Sequence, residues 1–191
     1  MTLPVTPTVP AGRRRLTQKK AAFTLAALML AIPGVPMLLA ALAPEREWNV
    51  AAPGSDAIEI VSSAGHGLLV TAPPGWETRD DGHTMALRSG GATVVVQVYD
   101  RGERDPDAVA QRLIRSNRVA GWTSALDGGR IASADGGLTG DTCVVVAERR
   151  TGTCAFLADD DVVVSVLALG DAESPAPPVA EIVAPLTRSQ P

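Results

Sequence analysis

Along the 191 residues the spacing of apolar positions changes character several times. "MTLPVTPTVPAG" carries three prolines and no apolar period, and the basic run "RRRLTQKK" follows it, so residues 1–20 read as a disordered basic tail. From Ala21 to Pro44 there are 24 residues without a charge. A mixed stretch of Pro, Gly, Ser and charge over 45–56 reads as a linker. Beyond it the pattern shortens to "HGLLVTAP", "HTMALRS" and "ATVVVQVYD", each alternating or β-branched and bounded by turn residues, as strands are. The period then becomes helical. In "DPDAVAQRLIRSNRVAGW", Asp105 can cap, Pro106 suits the first helical position, and Val109, Ala110, Leu113 and Ile114 share one face before Gly121 ends the run. Arg112, Arg115 and Arg118 fall around the other side as a solvated face. "DGG" turns at Asp127 and Asp135 lead into three apolar strands, "DTCVVVAER", "TGTCAFLA" and "DVVVSVLALG". Val179, Ile182, Val183 and Leu186 then repeat at helical spacing and predict a short last helix. The order describes an α+β domain over 57–188, an antiparallel sheet with a central and a C-terminal helix packed on it.

The uncharged run 21–44 changes the picture most. As a helix it would reach about 36 Å, against a bilayer core of about 30 Å, and it is therefore expected to be a transmembrane signal-anchor. Ala41, Leu42 and Ala43 have the small-x-small form of a cleavage site, yet Pro44 stands directly after the scissile bond and blocks it. Cleavage there would instead release a secreted soluble protein. Arg13, Arg14, Arg15, Lys19 and Lys20 precede the run, whereas Glu45, Arg46 and Glu47 follow it. The positive flank holds the N-terminus in the cytoplasm and sends the C-terminal domain outside. The partner implied by residues 21–44 is the lipid bilayer, and Trp48 sits where an interfacial aromatic belt would lie.

Charge narrows the function classes. The formal net charge is −4, but the five cations above stand in a segment with no acid, which leaves 12 cationic against 21 acidic side chains, or −9, for the rest. Such a domain repels phosphate backbones, and nucleic acid is excluded as a partner class. Lys19 and Lys20 are the only lysines beside many arginines, alanines, valines and glycines, a bias that fits a GC-rich bacterial genome such as that of an actinobacterium.

Cys143 and Cys154 are the only cysteines, and in an exported domain a disulfide between them is the simplest expectation. Hairpin geometry pulls two ways. The pair faces across a hairpin only if the turn falls at Glu148 and Arg149, a poor tight-turn dipeptide. A turn at Gly152 would set Cys143 against a residue near Ala158, beyond the roughly 7 Å Cα separation a disulfide tolerates. The bridge is expected through an irregular or longer loop, closing a loop worth about 3 kcal/mol in the entropy model.

Other candidate chemistry is sparse. His66 and His83 are the only histidines, both beside glycine and without a ligand-spaced Cys or carboxylate, which makes a poor zinc site. Asp159, Asp160 and Asp161 form an acidic tip without the alternating oxygens and glycine of a calcium loop. "GHG" at 65–67 lacks the Gly-Lys-Ser/Thr of a phosphate loop, and no Gly-x-Ser-x-Gly elbow presents a nucleophile. No catalytic, cofactor or metal residue is assigned, and no cofactor is expected.

The stretch "VTAPPGW", through Pro73, Pro74, Gly75 and Trp76, followed by strands, a central helix, three strands and a last helix, resembles the PsbP-like superfamily. Within it the order is similar to that of the LpqN-like exported proteins of actinobacteria. The resemblance covers most of residues 57–188 and implies a binding or assembly role, with Trp76 as a structural plug over the sheet edge. The expected function is a membrane-anchored, non-catalytic extracytoplasmic module of a bacterial cell envelope. The alternative is an envelope hydrolase whose site is assembled from scattered residues such as His66, His83 and the acidic loops.

Overall fold

The computed structural model describes residues 21–29, 32, 47–54 and 57–189. The basic tail over 1–20 lies outside them. Residues 21–29 form a helix (α1) with exposed side chains, and most of the rest of the 21–44 run lies outside the described residues. Among those residues no helix is long and apolar enough to cross a membrane.

The chain from residue 46 onward is a second unit, described by itself. Its strands are Asn49–Val50 (β1), Ile58–Val61 (β2), Gly67–Val70 (β3), Glu77–Asp80 (β4), Thr84–Ser89 (β5), Ala92–Asp100 (β6), Thr123–Ala132 (β7), Thr139–Ala147 (β8), Arg150–Ala158 (β9), Val162–Gly170 (β10) and Thr187–Arg188 (β11). Two helices, Pro106–Val119 (α2) and Val179–Val183 (α3), complete it. Eight strands form one sheet in the order β1-β4-β5-β6-β10-β9-β8-β7, and β11-β3-β2 form another. Every pairing is antiparallel, so the domain is α+β as its pattern predicts.

Strand β10 carries "VVVSVLALG", and all nine of its residues are buried. A strand that is apolar on both faces must be covered on both. On one face Val163, Leu167 and Leu169 pack with Val109, Leu113 and Ile114 of α2. On the other, Val162, Val164, Val166 and Ala168 pack with Leu68 of the small sheet and with Val179, Ile182 and Val183 of α3. The alternation of β6 follows the same division, with Val94, Val96 and Val98 to one core and Val95 to the other. Helix α2 starts as its sequence requires, since the Asp105 carboxylate accepts the Asp107 N–H at 3.2 Å and Pro106 occupies the first turn.

Three expectations change. Residues 49–51, inside the stretch read as a linker, contribute to the fold: β1 pairs with β4, Ala51 is buried, and its N–H donates to the Trp76 carbonyl at 2.8 Å. "DGG" at Asp127 is not a hairpin turn but a bulge inside β7, where Asp127, Gly128 and Gly129 together oppose Thr142. The Asp127 carboxylate accepts the Thr142 hydroxyl at 2.5 Å and the Gly129 N–H at 3.0 Å, and these bonds hold its pKa below the usual carboxylate range. A Cβ on Gly129 would lie 2.2 Å from that hydroxyl, so a larger residue there would displace the Thr142 side chain from Asp127. Such a bulge blunts an edge strand that would otherwise recruit another chain.

The third change is the β8–β9 turn. Ala147 pairs with Arg150, leaving only Glu148 and Arg149 as the loop, while Gly152 sits inside β9 against Val145. The loop is tight, not long or irregular. Its cost falls on Glu148, the one non-glycine residue with positive φ, at 51°, among those described. A left-handed residue with a Cβ costs about 1–2 kcal/mol, and the extra chain entropy of glycine in the unfolded state returns about 0.4–1 kcal/mol of that gain. Glu148→Gly is therefore expected to stabilise the domain by about 0.5–1 kcal/mol in urea unfolding, and Arg149→Gly to destabilise it. Equal effects from the two substitutions would contradict this turn.

Candidate functional site

The N-terminal half of α2 rises from the loop after β6 and meets the lower ends of β7, β8 and β9 at a wedge. Ala110, Gly140 and Ala158 are too small to fill it, and a cleft of about 420 Å3 remains. Phe156 and Val163 give it an apolar floor, Pro106, Ala110 and Gln111 one wall, and Leu126 and Arg130 the other. The Arg130 guanidinium, largely exposed, donates to the Asp141 carboxylate at 3.1 Å across the β7–β8 pair. Arg101 closes the lower end. Its Nη1 donates to the Asp159 carbonyl at 2.7 Å and lies 3.8 Å from the Asp160 carboxylate. An apolar floor inside a rim of paired charges suits non-covalent binding of an amphipathic group, with the rim fixing its orientation.

The acidic tip has a structural occupation. The Asp159 carboxylate accepts the backbone N–H groups of Asp161 and Val162, each at 2.8 Å, and is bound by the Arg188 guanidinium. Arg188 also donates through Nε to the Gly67 carbonyl at 3.2 Å and lies 3.8 Å from the Asp161 carboxylate. One arginine of β11 thus ties the small sheet to the β9–β10 turn, and no group of three or more metal-ligating side chains is found among the described residues. Serial aspartates signalled a turn, but the two arginines that neutralise them come from 58 and 29 residues away, beyond any local pattern.

The histidines do not converge on the cleft. His66 lies in the β2–β3 turn, where its backbone N–H meets the Ser62 hydroxyl at 3.1 Å, and "GHG" supplies Gly65 at φ 92° to that turn. His83 is exposed in the β4–β5 turn, its ring 6.4 Å from that of Tyr99. Neither lines the cleft, which is bordered by no serine either. Trp76 packs partly buried against the core shared with the small sheet, and the Gly75 turn before it brings its carbonyl to Ala51. Trp48 is engaged by its own domain: its ring lies 4.0 Å from the Arg88 guanidinium carbon and 4.9 Å from that of Arg79.

Cys143 and Cys154 are direct cross-strand partners with Cα atoms 4.8 Å apart, and their sulfurs are at disulfide distance. Both are fully buried, in the core beneath α2. The residues of the cleft itself were not found by motif, because they are individually ordinary and only the pairing of four strands under one helix assembles them. Searches of protein-family models, curated proteins and solved structures return no match to this chain.

On the same face of the sheet, β5 and β6 carry a polar chain. The Tyr99 hydroxyl donates to Gln97 Oε1 at 2.9 Å, and Gln97 Nε2 donates to the Thr84 hydroxyl at 3.1 Å. Burial of its ring raises the Tyr99 pKa above the ordinary value. The neutral phenol is favoured in the fold, so this contribution to stability is present below the unfolded pKa and is lost as pH rises through the folded one. Tyr99 is the only tyrosine, and tyrosinate absorbance reads it alone. The folded protein should titrate at higher pH than the same chain in denaturant; coincident curves would contradict the burial.

Proposed function

We propose that this chain is a non-catalytic binding or assembly module of a bacterial cell envelope, anchored through residues 21–44 with its C-terminal domain outside the membrane. The observation that carries the reading is the cysteine pair. Two thiols that are alone in the chain, directly opposed and at disulfide distance in a dry core, suit an oxidising compartment. The basic flank and the 24 uncharged residues supply the route there. The cleft beneath α2 supports binding: its floor is apolar, while Arg101 and Arg130 on its rim are already paired to carboxylates. The resemblance of "VTAPPGW" and of the element order to the PsbP-like superfamily, and within it to the LpqN-like exported proteins, fits the same class of role.

The test uses the full-length chain in an actinobacterial host. It should stay in the membrane fraction through a carbonate wash, with the domain open to protease added outside the cell. Because both sulfurs are buried, alkylation must be done in denaturant, and both thiols should be labelled only after reduction. Recovery of a species beginning at Pro44 in the medium would establish a secreted protein instead, and full labelling without reductant would remove the oxidising compartment.

A further inference from the structure

Charge around the cleft beneath α2 is unevenly matched. Its rim holds four carboxylates, those of Asp107, Asp141, Asp159 and Asp160, and two guanidinium groups, those of Arg101 and Arg130. Arg130 takes Asp141, Arg101 faces Asp160, and Asp159 is held from outside the cleft by Arg188. Asp107 is left over. Its backbone N–H donates to Asp105, but among the described residues nothing donates to its carboxylate or pairs with it. Neighbouring positions along the chain do not reverse the sign. Glu103, Asp105, Asp127 and Asp161 add four carboxylates, against Arg104 and, further along α2, Arg115 and Arg118. The balance stays acidic, on a domain whose own sum is −9, and a cation is drawn to the cleft where an anion is repelled.

The free carboxylate stands beside apolar surface. Asp107 follows Pro106 and precedes Gln111 by one helical turn, and all three line the same wall with Ala110. Leu126 on the facing wall is 43% exposed, and Phe156 and Val163 lie at the floor. The volume of about 420 Å3 falls in the range of small-molecule sites. Arg101 and Asp160 close the lower end, so the space suits a short molecule and not a chain running through it.

We propose that the cleft binds a small organic cation, an amine or guanidine on an aliphatic or aromatic body. The cation sits on the Asp107 carboxylate with the Gln111 amide oxygen beside it, and the body lies between Pro106 and Ala110 on one side and Leu126 on the other. This rests on the reading of the cleft as a binding site and names the class of ligand it takes.

The test titrates the full-length chain calorimetrically in a non-ionic detergent, with protein-free micelles as blank, against 4-phenylbutylamine, 4-phenylbutanol and 4-phenylbutyrate. The amine should bind about tenfold more tightly than the alcohol, a difference that one charge-assisted hydrogen bond supplies, and the carboxylate most weakly. Asp107→Asn should bring the amine to the alcohol's affinity. Glu181→Gln, the same change of charge at an exposed position of α3 on the other side of the sheet, should leave it unchanged. Ala110→Leu should weaken every probe by filling the cleft. Equal affinity for amine and alcohol, or a preference for phenylbutyrate, with Ala110→Leu still abolishing binding, would overturn the cationic ligand and keep the cleft as a binding site. So would a basic apolar tetrapeptide that binds there when the amine does not. Equal losses in Asp107→Asn and Glu181→Gln would reduce the effect to the overall charge and overturn the assignment. Absence of binding by every probe, or binding that Ala110→Leu leaves intact, would overturn the cleft as a site as well. The comparison of the three probes on the parent chain stands whether or not a variant folds.

Discussion

Strand β10 has no polar face, and the architecture follows from having to cover it twice. An amphipathic strand could end its obligations at one layer, but nine consecutive buried residues at the centre of an eight-stranded sheet require a second layer on each side. Helix α2 meets the demand on one face. The small sheet and α3 meet it on the other, and for this the chain must return after β10 to lay β11 beside β3. Arg188 is then placed where it can fasten that return to the β9–β10 turn, so the acidic tip serves the same constraint.

How much of this could be read from the residues depended on where each element sits. Strands β6, β8, β9 and β10 and helix α2 lie at the centre, where burial imposes a pattern strong enough to show in the sequence. The edge elements were illegible. "ETRD" in β4 is charged because its α2-side face is open enough to carry the Glu77–Arg88 and Arg79–Asp81 pairs, and β7 is interrupted by a bulge whose residues imitate a hairpin. β1 has only two residues and is specified by its partner, not by itself.

The turn at Glu148 shows a local preference yielding to a distant one. Glycine at 152 offered the easier turn, but folding there would have shifted the register and turned Cys143 and Cys154 away from each other and from α2. The structure places the strained residue at Glu148 and keeps both sulfurs in the core. The cleft was likewise invisible beforehand, since its wall, floor and rim come from α2, four strands and a loop that only the assembled sheet brings together. Disposition of charge completes the picture: Asp141, Asp159 and Asp160 at the cleft are met by Arg130, Arg188 and Arg101 of the same chain, while Asp107 stands at the start of α2.

If β10 is the element on which both cores depend, its backbone cannot open while either core persists. Native-state hydrogen exchange on the isolated domain fold within the full chain measures this directly, residue by residue. The amides of Val164, Val166 and Ala168 should exchange only at the free energy of global unfolding, with the same denaturant dependence. Exchange of these amides through a smaller opening, with β5 or the small sheet still protected, would contradict the account.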